Sequence, residues 1–435
     1  MKENKKNKYV IQEHFPIPYD SYKLLDIWRH GMRLPGQNQG LDRWFFQWQF
    51  SNPLKEENNE NSDKEYGYYA SYVIGAQWVD KENTKPLVIT TKGGCDNIDF
   101  LKMFSTCFNS GIAAEDFSKI YEVDMEQPRI EAPELKSVLS PLIIVHFLTV
   151  VQEVLKHGLK KDYIQKENNL KKVKGHIAIA RNERTNIIQK RFDRFFCKYQ
   201  EYSENIPGNR LIKKALLFSR EILNHSAISQ SILPLQQNVN KYLSEFRNVD
   251  DQIEVWEIKN IKHHKVFKGY DEAIKLAKMI LRRYDYSISN VTSEEEKCPV
   301  FWIDMALLYE HYVLGLLKEA YGDKIKYQSH GYSGYPDFIC FEPQIVMDTK
   351  YIPRFEKTEN YINVDIVRQL SGYSRDRKLF DIPPSKMIPC IIIYPKEGEP
   401  QNPFKNIPLE QLIKKEDNQY WKFYRVAVPL PTLSE

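Results

Sequence analysis

The sequence has no C-x-x-C pair: its six cysteines, Cys95, Cys107, Cys197, Cys298, Cys340 and Cys390, are scattered. That spacing argues against a structural zinc site and a disulfide framework, and it points to a reducing, cytoplasmic setting. Long apolar runs are also missing. The most apolar stretch, Leu139–Val151, has 13 residues and contains Pro141 and His146, whereas a membrane-spanning helix needs about 20. A buried helix is expected there, and no membrane association. The first eight residues, MKENKKNK, lead into no apolar segment, so no secretory signal is expected. An excess of one charge is absent too. Lys+Arg 62 against Asp+Glu 58 leaves +4, so any basic surface must be local. No G-x-x-x-x-G-K-[ST] phosphate loop occurs, so the chain is not itself expected to be an NTPase. No internal repeat of fixed period is found.

What is present is a folded-protein composition. The 435 residues are 42% hydrophobic, 28% charged and 13% aromatic, enough for two or three domains with real cores. The expected class is α+β and multidomain: a β-rich N-terminal domain over 1–130, a mostly helical middle region over 131–289, and an α/β C-terminal domain over 290–435. Tyr72–Val79 and Pro86–Thr91 read as a hairpin, preceded by an exposed loop at Pro53–Lys64. Glu134–Leu159 and Asn209–His225 carry helical spacing. Asn290–Lys297 reads as a linker, followed by a helix over Phe301–Ala320. Then come β runs at Pro336–Phe341, Gln344–Tyr351, Met387–Tyr394 and Trp421–Val428, with a helix near Val364–Phe380.

The informative segment is Tyr335–Lys350, YPDFICFEPQIVMDTK. Glu342-Pro343 lies between two β runs. Proline excludes the tight two-residue loops that need positive φ, so a four-residue loop over Phe341–Gln344 is expected. An even loop centred there pairs Cys340 with Ile345, Ile339 with Val346 and Phe338 with Met347. The next pair outward is Asp337 with Asp348, with Cβ atoms about 5 Å apart. Lys350 projects from that same face. Two opposed carboxylates at the margin of an apolar sheet repel unless a cation lies between them. A hard divalent ion, Mg²⁺ or Mn²⁺, resolves the conflict, with Asp337, Asp348 and the Thr349 carbonyl among its oxygen ligands. A neighbouring lysine can then orient or deprotonate an attacking water. The plain alternative is a pair of strand-end acids facing water, with Lys350 as a solvated partner.

Two neighbours add weight. Position 310 falls within the apolar stripe Ile303, Ala306, Leu307, Val313, Leu314, Leu317, yet it holds Glu310. It reads as a third site carboxylate, or else as the partner of an Arg or Lys elsewhere. Gln369 and Tyr373, at i and i+4, share one helix face. They could reach the lysine or a scissile phosphate, or simply form a helix surface.

The set helix-borne Glu310, Pro336-Asp337, Asp348-Thr349-Lys350 and Gln369-x-x-x-Tyr373 resembles the PD-(D/E)xK restriction-endonuclease fold. Upstream, Lys174–Ile177 (KGHI) and Cys197–Leu216, with its NIPGNRLIKKAL block, resemble the McrC family, as do Leu308–Val313 (LYEHYV) and Asp348–Tyr351 (DTKY). The likeness covers roughly 170–380, and the first 130 residues match only loosely. McrC is the nuclease subunit of McrBC-type 5-methylcytosine restriction systems. The resemblance therefore implies a Mg²⁺-dependent DNA endonuclease that works with a McrB-like hexameric AAA+ GTPase. The partner would read the modified site, and the N-terminal domain would dock on it. Dimerisation of nuclease domains would serve double-strand cleavage. The other readings are a regulatory subunit that mainly stimulates the partner's NTPase, and a stand-alone PD-(D/E)xK nuclease.

One segment is strongly basic. Residues 156–198 hold nine Lys and four Arg against four acids, a local +9, with Tyr163, Phe192, Phe195 and Phe196 interleaved. Such a patch could track phosphates, or it could be a solvated helix or hairpin, or a face for an acidic partner. The DNA-contact candidates are Lys171, Lys172, Lys174, Arg181, Arg184, Lys190, Arg191 and Arg210. Arg210, with Asn209, sits at a helix start, where capping and phosphate contact both fit. His263-His264 lacks completing ligands and reads as surface.

Overall fold

The computed structural model describes residues 9–13, 32–33, 44–49, 67–79, 82–91, 98–109, 114–132, 135–225, 233–253, 269–289, 297–352, 362, 364–380, 386–396, 401–413 and 419–432. Pro53–Lys64, His263-His264 and most of the expected linker at Asn290–Lys297 lie outside these residues. The chain forms two compact units. One joins Met1–Leu142 to Val291–Glu435; the other is Ile143–Asn290. The first unit thus draws on both the N-terminal and the C-terminal segments of the chain.

The reason is one strand. In the first unit, β1 (Tyr9–Gln12), β5 (Val73–Trp78), β6 (Pro86–Thr90), β7 (Tyr121–Asp124) and β13 (Val300–Asp304) form a sheet of order β1-β6-β5-β13-β7. The expected hairpin is present, with Gly75 opposite Ile89 and Trp78 opposite Pro86. Residues 301–304 were expected to open a helix. They form β13 instead, an antiparallel strand between β5 and β7 that carries late sequence into the early sheet. The run VFWID is β-branched and aromatic, the composition that strands favour. The helix begins at Met305 and runs to Tyr321, with Asp304 as its N-cap accepting from Leu307 N. The unit also holds a small sheet of β2 (Met32–Arg33), β3 (Trp44–Gln49) and β4 (Gly67–Ala70), and a pair of β8 (Ile130–Glu131) with β12 (Lys297–Cys298).

Helix Met305–Tyr321 is buried over most of its circumference. It packs against helix Phe100–Asn109 so closely that a Cβ on Gly315 would stand 2.5 Å from the Thr106 carbonyl oxygen. Gly315→Ala is expected to push these helices apart at a cost of about 1–3 kcal/mol. A drop in thermal midpoint would show it, and an unchanged midpoint would refute the close packing.

A second sheet in this unit has the order β14-β15-β16-β17-β18, from β14 (Ile325–Tyr327), β15 (Phe338–Phe341), β16 (Gln344–Thr349), β17 (Cys390–Lys396) and β18 (Phe423–Pro429). β14, β15 and β16 pair antiparallel; β16, β17 and β18 pair parallel. Helix Val364–Ser374 connects β16 to β17. Its Ile366, Leu370 and Tyr373 pack on Ile339, Val346, Cys390 and Ile392. The register is the one read from the sequence, Phe338 with Met347 through Cys340 with Ile345. The loop is not. Phe341 pairs with Gln344, leaving two residues, Glu342 and Pro343, joined by a cis peptide bond.

The second unit holds a sheet that was not expected in the helical middle region. Helices Lys136–Lys156, which starts in the first unit, and Pro207–His225 are present. Between them lies a three-stranded sheet, β10-β11-β9, from β9 (Asp162–Leu170), β10 (His176–Ile177) and β11 (Phe195–Ser203). Strand β9 carries little apolar alternation to announce it. Cross-strand pairs hold it to the aromatic β11: Tyr163 against Tyr202, and Lys198 and Lys166 against Glu167 and Glu201. Among the described residues, no helix is long and apolar enough to cross a membrane.

Candidate active site

Asp337 stands just before β15, and Asp348 lies in β16, on the sheet face covered by helix Val364–Ser374. The Asp337 carboxylate accepts from Thr349 N at 2.6 Å and from Thr349 Oγ1 at 2.5 Å. Asp348 is 2% exposed, and the Lys350 ammonium is in direct ion-pair contact with it. Lys350 Nζ also donates to Gln369 Oε1 at 3.1 Å, and Gln369 Nε2 donates to Tyr373 OH at 3.1 Å. The i, i+4 pair on this helix therefore forms a chain that ends on the lysine. The Lys350 main chain is fixed by its N–H on Ile393 O at 2.8 Å.

Glu310 comes from helix Met305–Tyr321 and is half-buried. It accepts from Gln328 Nε2 at 3.1 Å and from the Tyr327 hydroxyl. Both partners are uncharged, and no Arg or Lys among the described residues pairs with this acid. Tyr327 and Gln328 are site residues that no sequence pattern singled out. The segment that delivers Pro336-Asp337 is tied down by Gln328 N on Asp337 O, Gly331 N on Gly334 O, and Ser333 N on the Asp376 carboxylate.

The three carboxyls lie close enough to act on one another's charge. Burial, followed by the charges of Asp348 and Glu310, holds the Asp337 carboxyl well above the usual carboxylate range. Burial also raises Asp348, with Lys350 opposing it. Glu310 is raised by burial first and then by Asp348 and Asp304, against the hydrogen bonds from Tyr327 and Gln328. Burial and Glu310 push the Tyr327 hydroxyl far up, so it stays a donor.

Among the described residues, no three His, Cys, Asp or Glu side chains are grouped to hold a metal ion. The donor chemistry nonetheless fits a hard cation. Asp337 and Asp348 are oxygen donors whose charges repel at a buried margin, and such ions take one or two carboxylates, completing their shell with water and phosphate oxygens. Glu310 lies in the same electrostatic field but is turned toward Tyr327 and Gln328.

The basic candidates lie in the second unit. Lys171, Lys172, Arg184, Lys190 and Arg191 are exposed. Lys174 is also exposed, but it pairs with Glu201 and stacks on Tyr199, and Arg181 pairs with Glu167 and stacks on Phe196. Arg210 is used internally: its Nε donates to Asn205 Oδ1 at 2.8 Å, and its guanidinium lies 3.6 Å from Asp250. Asn209 is fully buried and donates to the carbonyls of Lys160 and Glu204. The NIPGNR turn is thus a bracing element within this unit.

The family described as the McrBC 5-methylcytosine restriction system component matches residues 100–376, 277 of the 435 residues. No curated protein matches the chain. One similar solved structure is a refined half-complex from a tetradecameric assembly of Thermococcus gammatolerans McrB AAA+ hexamers with bound McrC. It is 16% identical, covers 98% of this chain and 94% of that chain, and has a TM-score of 0.36. Another is the cryo-EM structure of the Thermococcus gammatolerans McrBC complex, 14% identical, covering 71% of this chain and 87% of that chain, with a TM-score of 0.30.

Proposed function

Because the chain belongs to the McrBC 5-methylcytosine restriction system component family, we propose that it is the DNA-cutting subunit of such a system, a metal-dependent endonuclease of PD-(D/E)xK type. The observation that carries this reading is the convergence of Asp337, Asp348 and Lys350 at one sheet margin, with Glu310 beside them. Asp337 and Asp348 would hold a Mg²⁺ or Mn²⁺ ion, with the Thr349 carbonyl as a further oxygen ligand and Glu310 in support. When bound, the ion supplies Lewis-acid stabilisation of charge on the phosphate and a more acidic water. As an ammonium, Lys350 would offset charge on that phosphate and orient the attacking water; to take the water's proton it would first release its own. Gln369 and Tyr373 hold Lys350 in place through the hydrogen-bonded chain. Gln369→Ala is expected to slow cleavage about 10-fold with little change in DNA affinity, because it frees the amine to wander. A rate equal to wild type would remove Gln369 from the site.

The chain has no phosphate loop of its own, so NTP hydrolysis and site reading are assigned to an AAA+ ring of McrB type. The expected experiment mixes the chain, the ring protein, GTP and DNA with 5-methylcytosine. Cleavage that needs both proteins supports the reading, and cleavage by the chain alone favours a stand-alone nuclease.

The exposed basic residues Lys171, Lys172, Arg184, Lys190 and Arg191 are proposed as the DNA track. Replacing Lys171, Lys172, Lys190 and Arg191 with alanine should weaken DNA binding and flatten its salt dependence by about one unit of log–log slope per lost phosphate contact. An unchanged slope would assign this surface to a protein partner.

A further inference from the structure

Glu13 is an acid that the proposed mechanism does not use, and it is 0% exposed. It follows β1, in which Tyr9 and Ile11 point inward, so the strand's alternation carries Glu13 to that same face. Its N–H extends the ladder to Thr90 O at 2.9 Å. Its carboxylate accepts a buried hydrogen bond from the Tyr351 hydroxyl at 2.9 Å. Tyr351 is the residue after Lys350. Its ring lies edge-on to Tyr72, 6.0 Å between centroids, and 5.7 Å from the ring of Tyr309. Tyr309 immediately precedes Glu310, and the Tyr72 carbonyl accepts from Met305 N at the start of the same helix. Burial, and after it the Glu13 charge, raise the Tyr72 hydroxyl.

A buried carboxylate costs stability unless donors meet it, and an aliphatic residue would continue the Tyr9–Ile11 face at no such cost. Tyr351 supplies a donor to this buried acid. We propose that Glu13 and Tyr351 are positioning residues for the nuclease centre. The carboxylate fixes Tyr351, and Tyr351 fixes the main chain from which Lys350 projects, while its contact with Tyr309 aligns the helix carrying Glu310. One side of Lys350 is held by its strand hydrogen bond to Ile393, the other by this anchor. The edge strand of the N-terminal sheet thereby becomes the back wall of the catalytic site. This inference rests on the nuclease reading above.

The test uses the full chain with its ring partner and modified DNA. It compares wild type, Asp348→Ala, Tyr351→Phe, Glu13→Ala, Glu13→Gln and the Glu13→Ala/Tyr351→Phe double variant. Single-turnover cleavage, DNA Kd and thermal midpoint are read for each, with rates taken below every midpoint. Tyr351→Phe and Glu13→Ala are expected to cleave about 10–100-fold more slowly, with Kd within about twofold of wild type. The double variant is expected to be no slower than the slower single, because both remove one interaction. Glu13→Gln keeps an acceptor for the tyrosine and should recover most of the rate. Wild-type cleavage by folded Tyr351→Phe overturns the proposal, as does a Glu13→Gln rate as low as that of Glu13→Ala. Should Glu13→Ala not fold, Tyr351→Phe, which loses a single oxygen, decides alone. A wild-type chain that fails to cleave overturns the nuclease reading itself.

Discussion

Lys350→Ala is expected to lower single-turnover DNA cleavage by about 10²–10⁴-fold, the range for losing a proton-transfer group or one preorganised charge. DNA affinity should stay near wild type; the thermal midpoint is read alongside and rates are taken below it, because the variant leaves buried Asp348 without its ammonium. Asp348→Ala should be at least as severe, since it takes away the most deeply buried of the site carboxylates. The comparison also separates the leading rival. In a subunit that only stimulates its partner's NTPase, both variants would leave GTP turnover intact, and no cleavage would have been present to lose. A Lys350→Ala chain that cuts DNA at the wild-type rate removes the lysine from the chemistry.

The second large effect concerns stability and activity moving in opposite directions. Asp337 is raised well above the usual carboxylate range by burial and by two neighbouring acids. An acid whose pKa is higher folded than unfolded binds more protons in the folded state. Its contribution to stability is therefore fully present below the ordinary carboxylate range and is lost as pH rises toward the folded pKa. Asp348 and Glu310 shift in the same direction. The metal-free protein should lose stability as pH rises from about 4 toward neutrality, and a divalent ion should restore it by binding the folded form alone. Asp337→Asn keeps an oxygen for Thr349 and removes the charge. In the presence of a chelator at neutral pH it should melt higher than wild type, by about 2–4 °C per kcal/mol of relieved repulsion. It should also show no rise in midpoint with Mg²⁺ and no measurable cleavage. A lower midpoint than wild type in chelator would show that the hydrogen bonds to Thr349, not the repulsion, dominate at this position.

The arrangement of the candidate site was more legible than its scaffold. The register from Phe338 to Met347 follows from the period of two and an even loop, and it holds even though the loop is shorter than expected. Glu310 was readable as an acid within an apolar stripe, although the helix begins only at Met305. Gln369 and Tyr373 were readable from helical spacing, and their hydrogen bonds run to Lys350. The helix start was misplaced because Phe301–Ile303 fits an apolar helical stripe as well as a strand, and only pairing with β5 and β7 decides between them. The sheet at 162–203 was missed because β9 is polar, and its partners lie 25 or more residues away in sequence for most of its length. Tyr327 and Gln328 carry no pattern at all. Glu13 did carry one, an acid in step with Tyr9 and Ile11, and that alternation alone could have singled it out.

The central claim is that Asp337 and Asp348 share a divalent cation next to Lys350. The most direct measurement is anomalous diffraction from crystals of the chain grown or soaked with Mn²⁺. The account predicts one strong peak between the two carboxylates, near the Thr349 carbonyl and on the Lys350 side of the sheet margin, absent in Asp348→Ala. A chain that cleaves DNA with Mn²⁺ while its peak lies elsewhere, or that shows the same peak without Asp348, would contradict it.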